Sequence, residues 1–309
     1  HDIVNFSYRD FNSKTLIKNE KILNNKVFNI VENYRPNLIL LGHNNILDTQ
    51  TINSIKNKYD SKLALWYEDH LVDGGPNYKN NLSLIEKNSD LIDHYFVTTH
   101  PDSIKTKIPK NKIKYIPIPA DENIENLEIY KSKNRYKDLF FALSHGVNYG
   151  KLKPRNIDER EKFLDELIKK NKKFTFNILG YASEQPKWNY EYFHELAKCK
   201  MALNLSRGTP RKYASSNRIA SLIANGIMTF IDKKTRFSDF FDESEMGFYS
   251  DVDDLLKQIE EVSSNMKKIN KISTNGKKRY FSIFNNLIIS DYILSTTFDI
   301  KSKFKYIWE

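Results

Sequence analysis

Three consecutive polar residues, Glu68, Asp69 and His70, follow the apolar run 62–67 (KLALWY), and the turn Asp73-Gly74-Gly75-Pro76-Asn77 comes soon after. A carboxylate beside an imidazole is the equipment of a general base that takes a proton from a hydroxyl. Asp69 is the first choice, because a His flanks it and it can stay ionised at neutral pH. Glu68 alternates with it along the strand and is expected to turn into the sheet packing. The plainer alternative makes Asp69 or Asp73 the cap of the next helix. The second concentration of chemistry lies in 200–232, KMALNLSRGTPRKYASSNRIASLIANGIMTFID. A short apolar run, Met201 to Leu205, leads into a loop containing Arg207, Gly208, Arg211 and Lys212. Ser215, Ser216, Asn217 and Arg218 then read as a helix start, with Ile219, Leu222 and Ile223 as its apolar stripe. Free N–H groups, the helix dipole and the basic side chains converge there, which suits a phosphate. Arg218 opposes the dipole in the first turn, so it calls for an anionic partner or, more plainly, a surface carboxylate.

The elements that must position these residues alternate along the chain. Apolar runs of strand length at 37–41, 62–67, 95–98 and 114–119 are separated by helical patterns at 13–34, 51–59 and 82–89. Ile3 to Phe6 reads as a further short strand. Residues 122–137 are polar and rich in Asn and Lys, a natural linker. A second series follows, with strands at 138–143, 174–179, 201–205 and 227–231 and helices at 158–170, 190–197, 251–264 and 267–292. Alternation of this kind predicts parallel sheets covered on both faces. Ligands of such sheets sit beyond the carboxyl ends of the strands. That rule adds His145, Gly146 and Asn148, then Gly180 and Tyr181, to the loop of Arg207. His43 and His100 also fall at strand ends, where a hydrogen-bonded loop histidine is the commoner role. Asp251-Val252-Asp253 opens a helix and reads as its cap.

The order of apolar strand, basic loop, Ser216-Asn217-Arg218, helix, Asn225-Gly226, strand and Phe237-Ser238-Asp239-Phe240-Phe241 resembles the C-terminal domain of GT-B glycosyltransferases. Within the broad "glycosyl transferases group 1" set, the likeness is greatest to the spore-maturation-type subset. It covers Asp138 to Tyr292 well and the first half by architecture. The resemblance implies two Rossmann-like domains, 1–125 on the acceptor side and 138–309 on the nucleotide-sugar side, with mostly parallel sheets facing a cleft and a terminal helix crossing back. It implies that Arg207, Lys212 and Arg218 offset the charge of the leaving phosphate, with Ser215, Ser216 and Asn217 beside them. The family usually carries a Glu three residues after that Arg; this chain has Ser221, so the residue behind the usual retaining chemistry is not matched, and retention and inversion both stay open. Paired serines also occur where CMP-activated donors bind. The first strand and helix of the family lie upstream of His1, so a preceding segment is expected.

Composition sets the outer bounds. With 309 residues the chain exceeds one ordinary core and fits two domains. No apolar run reaches the roughly 18 residues of a membrane span. One cysteine, Cys199, precludes an intrachain disulfide and suits a reducing, cytoplasmic setting. No Cys/His zinc spacing and no convincing Asp-x-Asp occur at strand ends, so neither a metal nor a cofactor is expected; the nucleotide-sugar is a substrate. The net charge of +10 comes mostly from scattered Lys. It is compatible with a peripheral contact at an anionic inner membrane face, and nucleic acid is not the expected partner. The resulting expectation is a metal-independent glycosyltransferase of cell-surface polysaccharide or lipopolysaccharide synthesis, acting on a saccharide or lipid-linked acceptor. A nucleotide-sugar epimerase of the same fold, or a non-catalytic basic adaptor, remains the alternative.

Overall fold

The computed structural model describes residues 2–8, 20–42, 47–75, 77–144, 159–182 and 184–309. The first half holds one sheet, β1 (Leu38–Gly42), β2 (Lys62–Tyr67), β3 (His94–Val97) and β4 (Ile113–Tyr115), paired in that order and all parallel. Helices α1 (Glu20–Tyr34), α2 (Thr49–Lys58) and α3 (Tyr78–Glu86) connect and cover it. β4 is shorter than the expected 114–119, because Pro117 and Pro119 have no N–H to give the ladder. Ile3 to Phe6 pairs with no strand, and Ile3 is 84% exposed.

The second half is a five-stranded parallel sheet in the order β6-β5-β7-β8-β9. Its strands are β5 (Lys137–Ala142), β6 (Phe176–Leu179), β7 (Cys199–Asn204), β8 (Met228–Asp232) and β9 (Gly247–Tyr249). The chain leaves β5 in one direction through α4 (Glu159–Lys170) to β6. It returns through α5 (Asn189–Leu196) to β7 on the other side of β5, and α6 (Asn217–Ala224) then leads to β8. The switch of direction opens a crevice at the carboxyl ends of β5 and β7, where ligands of such sheets bind. Helices α7 (Val252–Ser263), α8 (Met266–Ile283) and α9 (Asn286–Phe298) complete the half. The single helix expected at 267–292 is broken at Asn285, whose side chain caps α9 by accepting from the Ile288 N–H at 2.8 Å. Asp251 caps α7 as expected, accepting from the Asp254 N–H.

One core joins the halves. Phe96, Tyr115, Ile116 and Ile118 pack with Ile219 and Ile223 of α6, with Phe237 to Phe248, and with Tyr280, Phe284, Tyr292 and Trp308. The terminal helices do cross back: Phe96 of the first sheet meets Tyr292 edge-on at 6.0 Å. The Tyr280 hydroxyl donates to the Ile118 carbonyl at 2.7 Å, and Ala120 exchanges backbone hydrogen bonds with Phe284 and Asn286. Residues 127–131 of the polar connection lie on the second half, where the backbone N–H groups of Ile129 and Tyr130 reach the carbonyls of Asn225 and Gly226.

Candidate active site

β2 delivers the first-half residues. Trp66 and Glu68 share a face by the period of two, and that face looks toward α6. Glu68 Oε1 accepts from Trp66 Nε1 at 2.9 Å, and its Oε2 accepts from Asn217 Nδ2 at 3.1 Å, across the junction between the halves. Glu68 is thus the carboxylate that meets the helix start and is not turned into the sheet packing, while Asp69 is exposed on the side of Tyr67. Burial and the charge of Asp69 push the Tyr67 hydroxyl up to about 12. His70 follows, its carbonyl held by the buried Asn81 at 2.9 Å. Burial lowers the His70 pKa; the positive charge of Arg207 and then of Arg160 acts in the same sense, against Asp69. Arg160 in the first turn of α4 is buried and was missed by the sequence reading. The same signal that singled out Arg218, a cation opposing the dipole of a first turn, could have found it.

The second-half residues divide by engagement. Ser215 is buried, and its hydroxyl accepts from the Ile118 N–H at 2.9 Å. That places it in the seam between the halves. Ser216 is the N-cap of α6 but makes no side-chain cap bond, so the helix start is not filled by its own cap. Arg218 donates to the carbonyls of Leu205 at 2.9 Å and Ala142 at 3.3 Å, with its guanidinium 5.0 Å from the centre of the Phe141 ring. It therefore spans the ends of β5 and β7 at the switch point, a structural engagement that the surface and ligand readings both lacked. Arg207 is exposed, and Lys212 stands 4.8 Å from the centre of the Tyr213 ring. Gly180 has φ +71, and a Cβ there would collide with the carbonyl oxygen of Leu143. The close approach that needs glycine is thus one of backbone to backbone. Tyr181 turns to Asp165 of α4. Ser221 hydrogen-bonds Tyr192 of α5. His43, His145, Gly146 and Asn148 lie outside the described residues. Among the described residues no group of three or more His, Cys, Asp or Glu could hold a metal ion.

His100 sits at the same junction. Its ring packs 5.2 Å from that of Tyr213 and 6.1 Å from that of Tyr115, and the Tyr115 hydroxyl donates to the Tyr213 carbonyl. Burial lowers its pKa, and Lys212 adds to the effect. Together the elements bring a carboxylate, a neutral-leaning imidazole and a basic loop around the start of a helix. That set can hold an anion and accept a proton beside it.

Two Rossmann-like domains with parallel sheets, joined through a shared core and a returning C-terminal pair of helices, define the GT-B architecture. Residues 155–286 match a family model described as glycosyl transferase-like. Solved structures with the same fold include Anabaena Alr3699/HepE in complex with UDP, at 12% identity and a TM-score of 0.56, over 90% of this chain and 82% of that one. An alpha-glucosyltransferase in complex with UDP and a 13-mer DNA is similar at 13% identity and a TM-score of 0.59, over 89% and 82%. A glycosyltransferase from Rickettsia africae matches at 11% identity and a TM-score of 0.53, over 96% and 84%. No curated protein matches the chain by sequence. The chain thus has the fold of the GT-B glycosyltransferases, and its second half carries their glycosyl transferase-like segment.

Proposed function

We propose that the protein is a glycosyltransferase that moves a sugar from a nucleotide-activated donor to a saccharide or lipid-linked acceptor. The observation that carries this reading is the meeting of Glu68 with Asn217, which sets a proton acceptor from one half at the anion-attracting start of α6 in the other. UDP in the complexes of similar folds supports a nucleotide donor. In this reading Arg207 and Lys212 offset the charge of the departing phosphate and no metal is needed. Arg218 holds the strand ends on which that loop stands. Glu68 takes the proton of the attacking hydroxyl, and His70 lies beside it in its neutral form.

No described helix is long and apolar enough to cross a membrane. The net charge of +10 supports peripheral work at an anionic inner face, in cell-surface polysaccharide or lipopolysaccharide synthesis. The experiment is nucleotide release with and without a mixture of saccharide acceptors. Release that requires acceptor and persists in EDTA supports transfer. Sugar interconversion without acceptor makes the protein an epimerase, and binding that ignores nucleotide but collapses with salt makes it an adaptor.

A further inference from the structure

The start of α5 carries side chains that neither the core nor the cleft uses. Trp188 is 45% exposed and Tyr190 80% exposed, whereas Tyr192 and Phe193 from the same helix pack inward. Burying a large aromatic side chain stabilises a fold. Tyr190 is left in water instead, and an exposed ring beside a depression is a candidate binding surface. The Tyr190 and His194 rings, one helical turn apart, stand 5.9 Å from each other. Beside them a depression of about 220 Å³ is lined by Lys187, Tyr190, Glu191, His194 and Glu195. Its Glu195 carboxylate is fixed by Lys198 at 2.9 Å and by Lys187 and Asn177 at 3.1 Å each.

The position is as informative as the composition. β6 ends at Leu179 on the carboxyl edge of the sheet, and the loop after it delivers the first turn of α5 to that same edge, on the flank of the outermost strand. The first turn of α5, with Tyr190, therefore starts from the ligand-binding edge.

We propose that the Tyr190 and His194 face of α5 is a saccharide-binding platform, a subsite for a sugar of the acceptor chain other than the one that reacts. The C–H face of a pyranose, partially positive, packs on the electron-rich face of an aromatic ring. Lys187 and Glu191 offer a donor and an acceptor to its hydroxyls, and the depression is sized for one sugar ring rather than a whole drug-sized ligand. Bases also stack on exposed aromatics. Glu191 in the lining opposes a phosphate backbone, however, and leaves a hydroxyl-rich occupant favoured. The role as an acceptor subsite rests on the glycosyltransferase reading; saccharide binding itself does not.

The test uses the intact chain and four tetrasaccharides, built of glucose, galactose, N-acetylglucosamine or glucuronate. Binding is followed by calorimetry, because Trp66 is only partly buried and belongs to the candidate active site, so tryptophan emission would not isolate the platform. At least one tetrasaccharide binds saturably. In Tyr190→Ala its affinity falls about tenfold, while melting temperature and nucleotide affinity stay at the parent values. No saturable response to any of the four, or full affinity in Tyr190→Ala, overturns the platform. Nucleotide titration of the same samples separates the two ideas: nucleotide binding without saccharide binding sinks only the platform. Saccharide binding without nucleotide binding keeps the platform and overturns its role in transfer.

Discussion

Glu68 accepts one hydrogen bond from its own strand neighbour Trp66 and another from Asn217 of the opposite half. Glu68→Gln can keep an acceptor for either partner but cannot take a proton from a substrate. Turnover should fall by about 10²–10⁴ while nucleotide affinity and melting temperature hold. Asp69→Asn should stay near the parent rate; loss in Asp69→Asn with activity retained in Glu68→Gln would return the base to Asp69. The end of β2 was legible in the sequence as a polar tripeptide after an apolar strand. Which of its carboxylates faces the other half was not, because alternation gives two faces without saying which one α6 covers. Proximity to His70 argued for Asp69, whereas the contacts with Trp66 and Asn217 favour Glu68.

At the scale of elements, the switch point between β5 and β7 is closed by Arg218, which ties the carbonyls of Ala142 and Leu205. Hydrogen bonds from a charged donor are worth about 1.5–3 kcal/mol each way of counting. Arg218→Ala should therefore lower the melting temperature as well as nucleotide affinity, and an unchanged melting curve would contradict the staple. Gly180→Ala must adopt a left-handed φ and displace the Leu143 carbonyl, so a loss of about 1–3 kcal/mol in a urea melt is expected. Parent stability in that variant would show that the loop after β6 adjusts freely. The parallel strands, the helix of Ile219, Leu222 and Ile223, and the caps at Asp251 were readable from period and capping chemistry. The use of Ser215 as an acceptor for Ile118 was not, because its partner is 97 residues away and no local pattern encodes it.

At the scale of the molecule, the core that runs from Phe96 through α6 to Trp308 ties the two halves together, and one shared unfolding transition is expected. Ser215→Ala leaves the buried Ile118 N–H without its acceptor, at about 1–3 kcal/mol, and should lower a single transition rather than split it. Acid should also weaken the fold. His70, His94 and His100 all have lowered pKa values, each chiefly through burial. The unfolded chain then binds more protons in the window below the ordinary histidine value of about 6.5. Stability is accordingly full above that value and is lost as pH falls through the lowered ones; denaturant midpoints that stay constant across the window would contradict this. The central claim is that the start of α6 and the loop before it bind a nucleotide-activated donor. Its most direct test is calorimetric titration of the parent and the double variant Arg207→Ala, Lys212→Ala with UDP, GDP, TDP, ADP and CMP. Saturable binding of at least one nucleotide to the parent and a clear weakening in the double variant are expected. Binding of none of the five, or equal binding to both proteins, would contradict it.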